Sequence, residues 1–536
     1  MKRKILSLLL GWITLGLCAQ EYQVSTAVQP KNVLLEEFTG IYCGYCIEGH
    51  KIASQLKRVL KDQVSVVAVH SGPFAPADST EVDLTSKDGI ELSYLLGSVW
   101  GGFPNGAVNR RGWHNLGKFY YSRNFWEEFA YRVVEEKAPV NLWAAAEWDA
   151  QTRLMKIRVE GYYTKDWEGD IPCLNVHLAQ NNIVNWQSGD GGGYHYLHQH
   201  VLRDMITEVK GDTLPQAKKG DYFVKEYEYE VPKAYKWIEV KPADLELVVF
   251  VTQGYKDVVN TITIKPAYTG EILPLKAAVR PHPIPIAGGY RYDFVEMEMT
   301  NECNSALTAA QFEVVLNDQV QQVEWQGHIP AFQQQMIRIP VNWNTQAVSS
   351  NTYEIRLQEL NGETTAGDTL RGRFGKPAMM PDQLVLHLNT DEYAEQNTYR
   401  LYDMAGTCLK TFGPFENGTC QHYEEELQLE PNTTYCLEVS DQRGNGIHPR
   451  GNAVEFHNAD GLVLYKQYAV KDFGMRFFFQ TQAPTGIDDL MSPTNLQPME
   501  VYNLTGKLVK VTTNLQDLPR GIYLVRKGNV TKKVIR

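Results

Sequence analysis

The chain has 536 residues, of which 43% are hydrophobic and 21% are charged. These proportions are ordinary for globular protein, so extensive disorder is not expected, and the length predicts roughly three to five domains. The formal charge of −11 argues against nucleic acid or an anionic membrane surface as the main partner.

Residues 1–19 combine three basic residues, an apolar run and a small-residue exit, the pattern of a secretory signal peptide. Cleavage after Ala19 would remove three positive charges and change the formal charge from −11 to −14. Cys18 leaves a lipoprotein signal open, although Leu17 is bulky where that signal requires a small residue. No later apolar run is long enough to span a bilayer, so we predict an exported mature chain without a transmembrane segment.

Residues 33–46 form the most informative stretch: an apolar run, a glycine turn and then Cys43-Gly-Tyr-Cys46. Ile52, Leu56 and residues 59–60 follow at the spacing of one helix face. A cysteine at a helix start has its thiolate stabilised by free N–H groups and the helix dipole. Strand, turn, Cys-x-x-Cys and helix are together typical of a thioredoxin-type redox site, with Cys43 partly exposed as the attacking thiol and Cys46 as the resolving thiol.

Residues 30–140 resemble the thioredoxin family in other respects too, with the predicted order β-α-β-α-β-β-α. The β-branched run 64–70 is typical of a buried parallel strand. The resemblance implies that Glu37, six residues before Cys43, is a buried acid that exchanges protons with Cys46. It also implies that Pro104 is a cis-proline that faces the cysteines and shapes a substrate-binding edge. We therefore predict catalytic roles for Cys43, Cys46, Glu37 and Pro104.

From Pro139 the pattern changes to short alternating segments separated by turn residues, which predicts antiparallel β-structure. We divide this part into a β-rich domain (141–275), an immunoglobulin-like β-sandwich (276–380) and a jelly-roll-like β-module (381–482). The predicted fold class is thus multidomain, α/β plus all-β: an N-terminal thioredoxin-like domain followed by tandem antiparallel β-sandwich modules and a small C-terminal β-domain.

The glycine-rich segment 189–204 carries His195, His198 and His200. A transition-metal site is one interpretation, and histidines packed beside a glycine-rich loop are the other. Together with Glu36-Glu-Phe-Thr-Gly40 and the Cys-x-x-Cys motif, this segment resembles the outer membrane protein 28-related family over about residues 31–265. That family commonly has proline where this chain has Ile47, and the resemblance implies architecture and location rather than an activity.

The C-terminal motifs Val501-Tyr-Asn-Leu-Thr-Gly506 and Leu518-Pro-Arg-Gly-Ile-Tyr-Leu-Val525 precede a basic ending. In this order they resemble the sorting domain of the type IX secretion system, predicted here over residues 483–536; an ordinary small β-domain is the alternative. The resemblance implies that residues 487–536 engage the type IX secretion machinery. The implied location is the outer membrane surface or the extracellular medium.

Five further cysteines follow, at positions 173, 303, 408, 420 and 436. Because the last three fall in one predicted β-module, any structural disulfide is expected to join two of them. No Cys₄ or Cys₂His₂ spacing is present, and we predict neither a metal site nor a cofactor.

Two functions fit these patterns. The first is a thiol–disulfide oxidoreductase that acts on a protein thiol or disulfide, and the short Cys43–Cys46 loop favours it because such a loop does little to stabilise a fold. The second is a non-catalytic surface binding or adhesion protein in which the thioredoxin-like domain is a scaffold.

Overall fold

The computed structural model describes residues 22–76, 82–114, 117–288, 292–342, 350–365, 367–418, 420–482, 498–512, 515, 518–527 and 530–535. The predicted signal peptide lies outside the described residues. So do residues 483–497, which belong to the stretch 482–498 that its prolines and Gly486 predict to be an exposed linker. The chain divides into two compact units, Met1–Gly270 and Glu271–Arg536.

The helices and strands of the first unit are β1 (Val33–Thr39), α1 (Cys46–Leu60), β2 (Val64–His70), α2 (Lys87–Leu95), β3 (Asn105–Val108), β4 (Tyr121–Ser122), α3 (Trp126–Val134), β5 (Val140–Asp149), β6 (Leu154–Tyr163), β7 (Pro172–Gln180), β8 (Ile183–Gln187), β9 (Gly193–His198), β10 (Val201–Met205), β11 (Asp212–Thr213), β12 (Tyr222–Glu230), β13 (Ala234–Tyr235), β14 (Ile238–Glu239), β15 (Leu245–Gln253), β16 (Lys256–Ile264) and β17 (Ala267–Thr269). As far as α3, the order β-α-β-α-β-β-α is the one that the sequence predicts.

A nine-stranded sheet runs through the first unit in the order β16-β15-β7-β10-β2-β1-β3-β4, with β11 paired to β7. β1 lies between β2, which is parallel to it, and β3, which is antiparallel. All seven residues of β1 and of β2 are buried, because both faces of a sheet with parallel strands are covered. Residues 40–45 connect the buried end of β1 to α1.

The two faces of this sheet have separate apolar clusters. On one face, Leu56 of α1 and Phe129 of α3 pack with Leu35 of β1. On the other face, Leu92 of α2 packs with Leu34. Each helix buries its apolar side against the sheet, as the helical spacing of these residues predicts.

The sheet also joins strands that the sequence assigns to two successive domains. β1 to β4 fall within residues 30–140, whereas β7, β10, β15 and β16 fall within residues 141–275. The link is a parallel pairing of β10 with β2 at Val201 and Ala68. A second sheet, in the order β12-β6-β5-β17, shares an apolar core with β7 and β15. The pairing brings residues 183–200 to the end of the sheet where the cysteines lie.

The strands of the second unit are β18 (Ala277–Pro281), β19 (Ile286–Gly288), β20 (Phe294–Asn301), β21 (Leu307–Leu316), β22 (Gln319–Ile329), β23 (Gln334–Pro340), β24 (Asn351–Leu360), β25 (Glu363–Thr364), β26 (Thr369–Phe374), β27 (Ala378–Pro381), β28 (Gln383–Asn389), β29 (Asn397–Tyr402), β30 (Cys408–Phe412), β31 (His422–Gln428), β32 (Thr434–Asp441), β33 (Val454–His457), β34 (Val463–Gln467), β35 (Gly474–Gln482), β36 (Met499–Tyr502), β37 (Leu508–Thr512), β38 (Ile522–Lys527) and β39 (Val530–Ile535).

These strands form three groups. Sheets β18-β20-β23 and β22-β21-β24-β25, the latter extended by β26, share one core and are compatible with an immunoglobulin-like sandwich. Sheets β19-β35-β32-β29-β30, with β27 on β35, and β31-β28-β33-β34 share a second core. The last sheet, β37-β36-β38-β39, has an apolar cluster of its own around Val501 and Val525.

Candidate functional site

Cys43 and Cys46 form a disulfide with a Cα–Cα distance of 5.4 Å, between the end of β1 and the start of α1. The sequence predicts that both cysteines open the helix, but α1 begins at Cys46. Cys43 lies in the preceding turn, and its carbonyl accepts a hydrogen bond from the Cys46 N–H at 3.2 Å. The helix dipole therefore acts more directly on Cys46 than on Cys43, since it weakens outside the first turn.

The prediction that Cys43 is partly exposed is wrong. Cys43 is only 3% exposed and Cys46 is fully buried. The cover is the hairpin of β8 and β9 with its connecting loop, here called the cap (residues 183–198), which comes from a part of the sequence about 140 residues downstream. Local sequence around the cysteines contains no signal for this cover.

Direct hydrogen bonds hold the cap on the cysteine turn. The Gln187 Nε2 donates to the Cys43 carbonyl at 3.0 Å, and the Ser188 N–H donates to the Ile41 carbonyl at 2.7 Å. Because Gln187 is fully buried, loss of these partners would leave polar groups unsatisfied inside the protein. The cap is thus attached to the backbone of the turn itself.

Gly189 in the cap lies against the backbone of the cysteine turn. A Cβ atom at Gly189 would lie 2.3 Å from the Gly44 carbonyl oxygen, and its φ of +115° is in the region that favours glycine. Gly193, at the other end of the loop, has a φ of +116° but no atom within 4 Å of the corresponding position. Glycine at 189 is therefore favoured both by the contact with the cysteine turn and by its positive φ, whereas glycine at 193 is favoured by its φ alone.

Glu37 is buried in β1, with 1% of its surface exposed. Among the described residues, no group donates a hydrogen bond to its Oε1, and the nearest basic group is the His50 Nε2 at 3.7 Å. Burial raises the pKa of Glu37 well above its usual value, because removal from water penalises the carboxylate. The protonated form of this carboxyl is therefore favoured up to a higher pH than it is in water.

Gly49, one turn into α1, explains how Glu37 and Pro104 approach this helix together. A Cβ atom there would lie 2.5 Å from Glu37 Oε1 and 3.1 Å from Pro104 Cγ. The Phe103–Pro104 peptide is cis, as the sequence predicts, and Phe103 packs in the same apolar cluster as Cys43. The structure thus brings Glu37 and Pro104 to the first turns of α1, while their catalytic roles remain predictions.

A cluster of three histidines, of which the sequence pattern singled out only His198, lies beside Glu37. The rings of His70 and His198 are 5.4 Å apart and those of His50 and His198 are 6.2 Å apart. The His50 Nδ1 hydrogen-bonds to the Tyr196 hydroxyl at 2.7 Å, and its Nε2 to the Thr39 hydroxyl at 3.0 Å.

All three rings are held neutral by burial. It lowers the pKa of His50 to about 3 and that of His198 to about 4, and lowers the pKa of His70 well below its usual value. Burial also raises the pKa of Tyr196 to about 12. The sequence signals for this cluster are that His50 follows Cys46 by one helical turn and that His70 ends a strand that is apolar except for Ser65.

The three histidines of the glycine-rich segment do not form the metal site that the sequence left open. His198 is buried and its Nε2 hydrogen-bonds to the Trp186 carbonyl at 3.1 Å. His200 pairs with Glu246, with its Nδ1 2.5 Å from Oε1, and His195 is exposed. His198 and His200 are therefore packed, hydrogen-bonded histidines beside a glycine-rich loop, the second of the two interpretations that the sequence allows.

Glu36, the neighbour of Glu37, points to the opposite face of the sheet and forms a buried ion pair. The Arg110 guanidinium donates to both its carboxylate oxygens, at 2.6 and 2.7 Å, and both side chains are fully buried. Arg110 also donates to the Tyr255 carbonyl at 3.0 Å. This pair ties β1 to the turn after β3 and to the turn between β15 and β16.

The disulfide expected among the last three cysteines is not formed, and all five other described cysteines are free. Cys408 and Cys436 both pair in register with Tyr402, on opposite sides of its strand. Two interstrand spacings separate their backbones by about 9.5 Å, more than a disulfide spans.

A family model for the outer membrane protein Omp28 matches residues 96–268. This match includes Pro104 and the cap but not the cysteine pair. No curated protein matches the sequence. Among the described residues, no helix combines the length and apolar character needed to cross a bilayer.

Two solved structures give low similarity. HBP35 of Porphyromonas gingivalis is 21% identical, with a TM-score of 0.35, over 65% of this chain and 99% of that one. A domain of the outer membrane lipoprotein Omp28 from the same organism is 19% identical, with a TM-score of 0.18, over 25% of this chain and 91% of that one. At these scores the likeness carries no argument about fold or activity. Residues 96–268 are similar to an outer membrane protein family, and that similarity is consistent with a surface location.

Proposed function

We propose that this is a surface-attached or secreted thiol–disulfide oxidoreductase whose redox centre is the Cys43–Cys46 disulfide. The observation that carries the proposal is the position of the buried carboxyl of Glu37 against the first turns of the helix that begins at Cys46. Within the described part of the chain, its Oε1 accepts no hydrogen bond. A purely structural disulfide has no need of a buried proton-exchanging acid, and burying one costs stability. The thioredoxin-like interpretation of residues 30–140 is supported by the sheet order β2-β1-β3-β4 with α1 and α3 on one face.

The proposed reaction transfers two electrons from a substrate dithiol to the disulfide. A substrate thiolate attacks the Cys43 Sγ, the Cys43–Cys46 bond breaks, and Cys46 leaves as a thiolate that takes a proton from Glu37. The second substrate thiolate then attacks the substrate sulfur of the mixed disulfide and releases Cys43 as a thiolate, which takes a proton from solvent. The substrate becomes a disulfide and Cys43 and Cys46 become thiols; the reverse sequence reduces a substrate disulfide.

The buried position of Cys43 adds a requirement to this mechanism. A substrate thiolate must approach the sulfur in line with the disulfide, and the cap covers that region. We therefore propose that Gln187 and Ser188 release the cysteine turn before exchange occurs. The cap would admit a substrate that replaces its hydrogen bonds to the Cys43 and Ile41 carbonyls.

The test is a measurement of the reduction potential of Cys43–Cys46, with an insulin-reduction assay on the same protein. We expect disulfide exchange in the wild type, loss in Cys43→Ser and Cys46→Ser, and wild-type activity in Cys420→Ser, an exposed free cysteine that serves as a matched control. Failure of the wild type to exchange with either reduced or oxidised protein substrates would refute an enzymatic role.

A second candidate function is a non-catalytic surface binding or adhesion protein, and one observation favours it. Cys43 is 3% and Cys46 is 0% exposed, so neither sulfur is reachable while the cap is closed. In this case the Cys43→Ser and Cys46→Ser variants should retain surface binding of whole cells to a host or polysaccharide surface.

We further propose that residues 487–536 direct secretion through the type IX machinery. The support is the pair of C-terminal motifs and the presence of a small four-stranded sheet with its own apolar cluster at the end of the chain. Deletion of residues 487–536 should trap a folded protein in the periplasm. Normal amounts of the truncated protein at the cell surface or in the medium would refute this assignment.

A further inference from the structure

A second cluster of titratable side chains lies in the second unit, on the outer face of the sheet β31-β28-β33-β34. His387 is on β28, and in register with it lie Glu424 of β31 and Glu455 of β33. His422 stands two residues from Glu424, and His457 two residues from Glu455. Residues two apart on a strand point to the same face, so these five side chains share one surface.

Three of these side chains bring donor atoms to a single point. His387 Nδ1 is 3.4 Å from His422 Nε2 and 3.2 Å from the Glu424 Oε1. His422 Nε2 is 3.1 Å from the same Glu424 oxygen. A tetrahedral zinc ion with bonds of about 2.0–2.1 Å requires donor atoms about 3.3–3.4 Å apart, so the triangle already has nearly the dimensions of one face of that tetrahedron.

The protein also fixes which nitrogen of His422 faces this point. Asn389 Nδ2 donates to the Asn452 carbonyl at 2.6 Å, so its Oδ1 is the atom that accepts from His422 Nδ1 at 2.8 Å. With its proton on Nδ1, neutral His422 presents the Nε2 lone pair to the carboxylate of Glu424. A backing acceptor of this kind orients most metal-binding histidines in proteins.

The lone pair of His422 and the Glu424 oxygen are both electron-rich and lie 3.1 Å apart. Such a contact is favourable only when a proton or a metal cation lies between the two atoms. A divalent cation at this point would be attracted by the Nε2 lone pair and by the carboxylate oxygen together.

The other two members of the cluster, His457 and Glu455, lie beside His387 on the neighbouring strand β33. The ring of His457 lies 4.0 Å from that of His387, centroid to centroid, and its Nε2 is 2.7 Å from Glu455 Oε2. The side chains of His422 and Glu424 are 52% and 59% exposed, so the point between the three donors opens to solvent. A fourth coordination position would be open to water or to a donor from another molecule.

We propose that His387, His422 and Glu424 form a divalent transition-metal site, with zinc as the metal that fits it best. Two imidazole nitrogens and one carboxylate oxygen are a donor set that zinc uses in sites with an open fourth position. No described cysteine or spaced motif accompanies them, and the ligands come from strands about 35 residues apart in the sequence. The expectation of no metal site, which rested on ligand spacing, is therefore revised by this proposal.

The test is zinc binding to the purified protein by equilibrium dialysis and titration calorimetry, with cobalt(II) as a spectroscopic probe of tetrahedral geometry. We expect one site in the wild type and loss of that site in His422→Ala and Glu424→Gln. Both residues are exposed, so circular dichroism should show an unchanged fold. Asn389→Ala should weaken binding by about 10- to 100-fold through loss of the orienting hydrogen bond.

His448→Ala is the matched control, since His448 is an exposed histidine of the same β-module outside the cluster, and it should bind like the wild type. The proposal is overturned if the wild type binds no zinc. It is equally overturned if zinc binding is the same in His422→Ala and Glu424→Gln as in the wild type, because the metal would then be held by other histidines.

Discussion

The substitution Gly189→Ala tests whether the cap controls access to the disulfide. The new methyl group would stand 2.3 Å from the Gly44 carbonyl oxygen, whereas ordinary contacts begin at 3.4 Å. The loop must therefore retreat by about 1 Å. This lengthens both the bond from the Ser188 N–H to the Ile41 carbonyl, now 2.7 Å, and the bond from Gln187 Nε2 to the Cys43 carbonyl, now 3.0 Å, beyond hydrogen-bonding distance. The substitution should favour the open cap.

The magnitude follows from the hydrogen bonds that are lost. The Ser188 bond and the bond from Gln187 to Cys43 contribute about 0.5–1.5 kcal/mol each, together about 1–3 kcal/mol. The open state should then be about 5- to 150-fold more populated. The cost of placing alanine at positive φ, about 1–2 kcal/mol, is shared by the control Gly193→Ala, which has nearly the same φ and no clash.

The assay is the rate at which excess dithiothreitol reduces Cys43–Cys46, followed by alkylation under denaturing conditions and intact-mass analysis. Two additional alkylated thiols report the reduced pair. We expect Gly189→Ala to be reduced about 5- to 150-fold faster than Gly193→Ala. Equal rates in the wild type and in both variants, with unchanged circular dichroism, would refute the claim that the cap limits access.

Three further predictions concern buried charge. Arg110→Met should cost about 3–5 kcal/mol in urea unfolding, because it leaves Glu36 buried without its partner, and the added substitution Glu36→Leu should recover most of this loss. Because the pKa of Glu37 is raised in the folded state, folding takes up a proton, and the free energy of unfolding falls as the pH rises above about 4.5. The free energy of unfolding of Glu37→Gln, relative to that of the wild type, should therefore be higher at pH 8 than at pH 5. An equal difference between the two proteins at both pH values would contradict this prediction. Because the pKa values of His70 and His198 are lowered in the folded state, the unfolded state binds more protons below pH 6.5 and stability falls on acidification, by about 3 kcal/mol at pH 4 for His198 alone. The substitution His70→Phe should reduce the acid-induced drop in melting temperature. An unchanged drop would show that His70 does not titrate on unfolding.

Much of the local structure near the cysteines could be predicted from the sequence. The apolar runs at β1 and β2 and the helical spacing of Leu56 and Leu60 report directly on burial, because the period of a strand or helix is a property of neighbouring residues. The cis Phe103–Pro104 peptide also follows from a local motif. These features depend on segments of about ten residues, and a linear pattern is enough to specify them.

The candidate site could be predicted only in part. Cys43, Cys46 and Glu37 lie on one continuous segment, so their proximity follows from a strand, a turn and a helix. The burial of Cys43 does not follow, because it depends on Gln187 and on the pairing of β10 with β2, two contacts formed across more than 130 residues. The same reason explains why the sequence suggested a partly exposed thiol.

The sequence by itself determined the elements, the Cys-x-x-Cys spacing and the order of β-rich segments, because each is encoded by local periodicity and turn residues. Only the tertiary structure decided which side chains meet: the cap on the cysteine turn, the ring of His198 beside His50 and His70, and His422 beside His387. Strand pairing sets those contacts through the register of distant segments. A register shift of one residue in its strand would move His70, His198, His387 or His422 to the opposite face of its sheet. The spacing of residues along the chain does not specify that register.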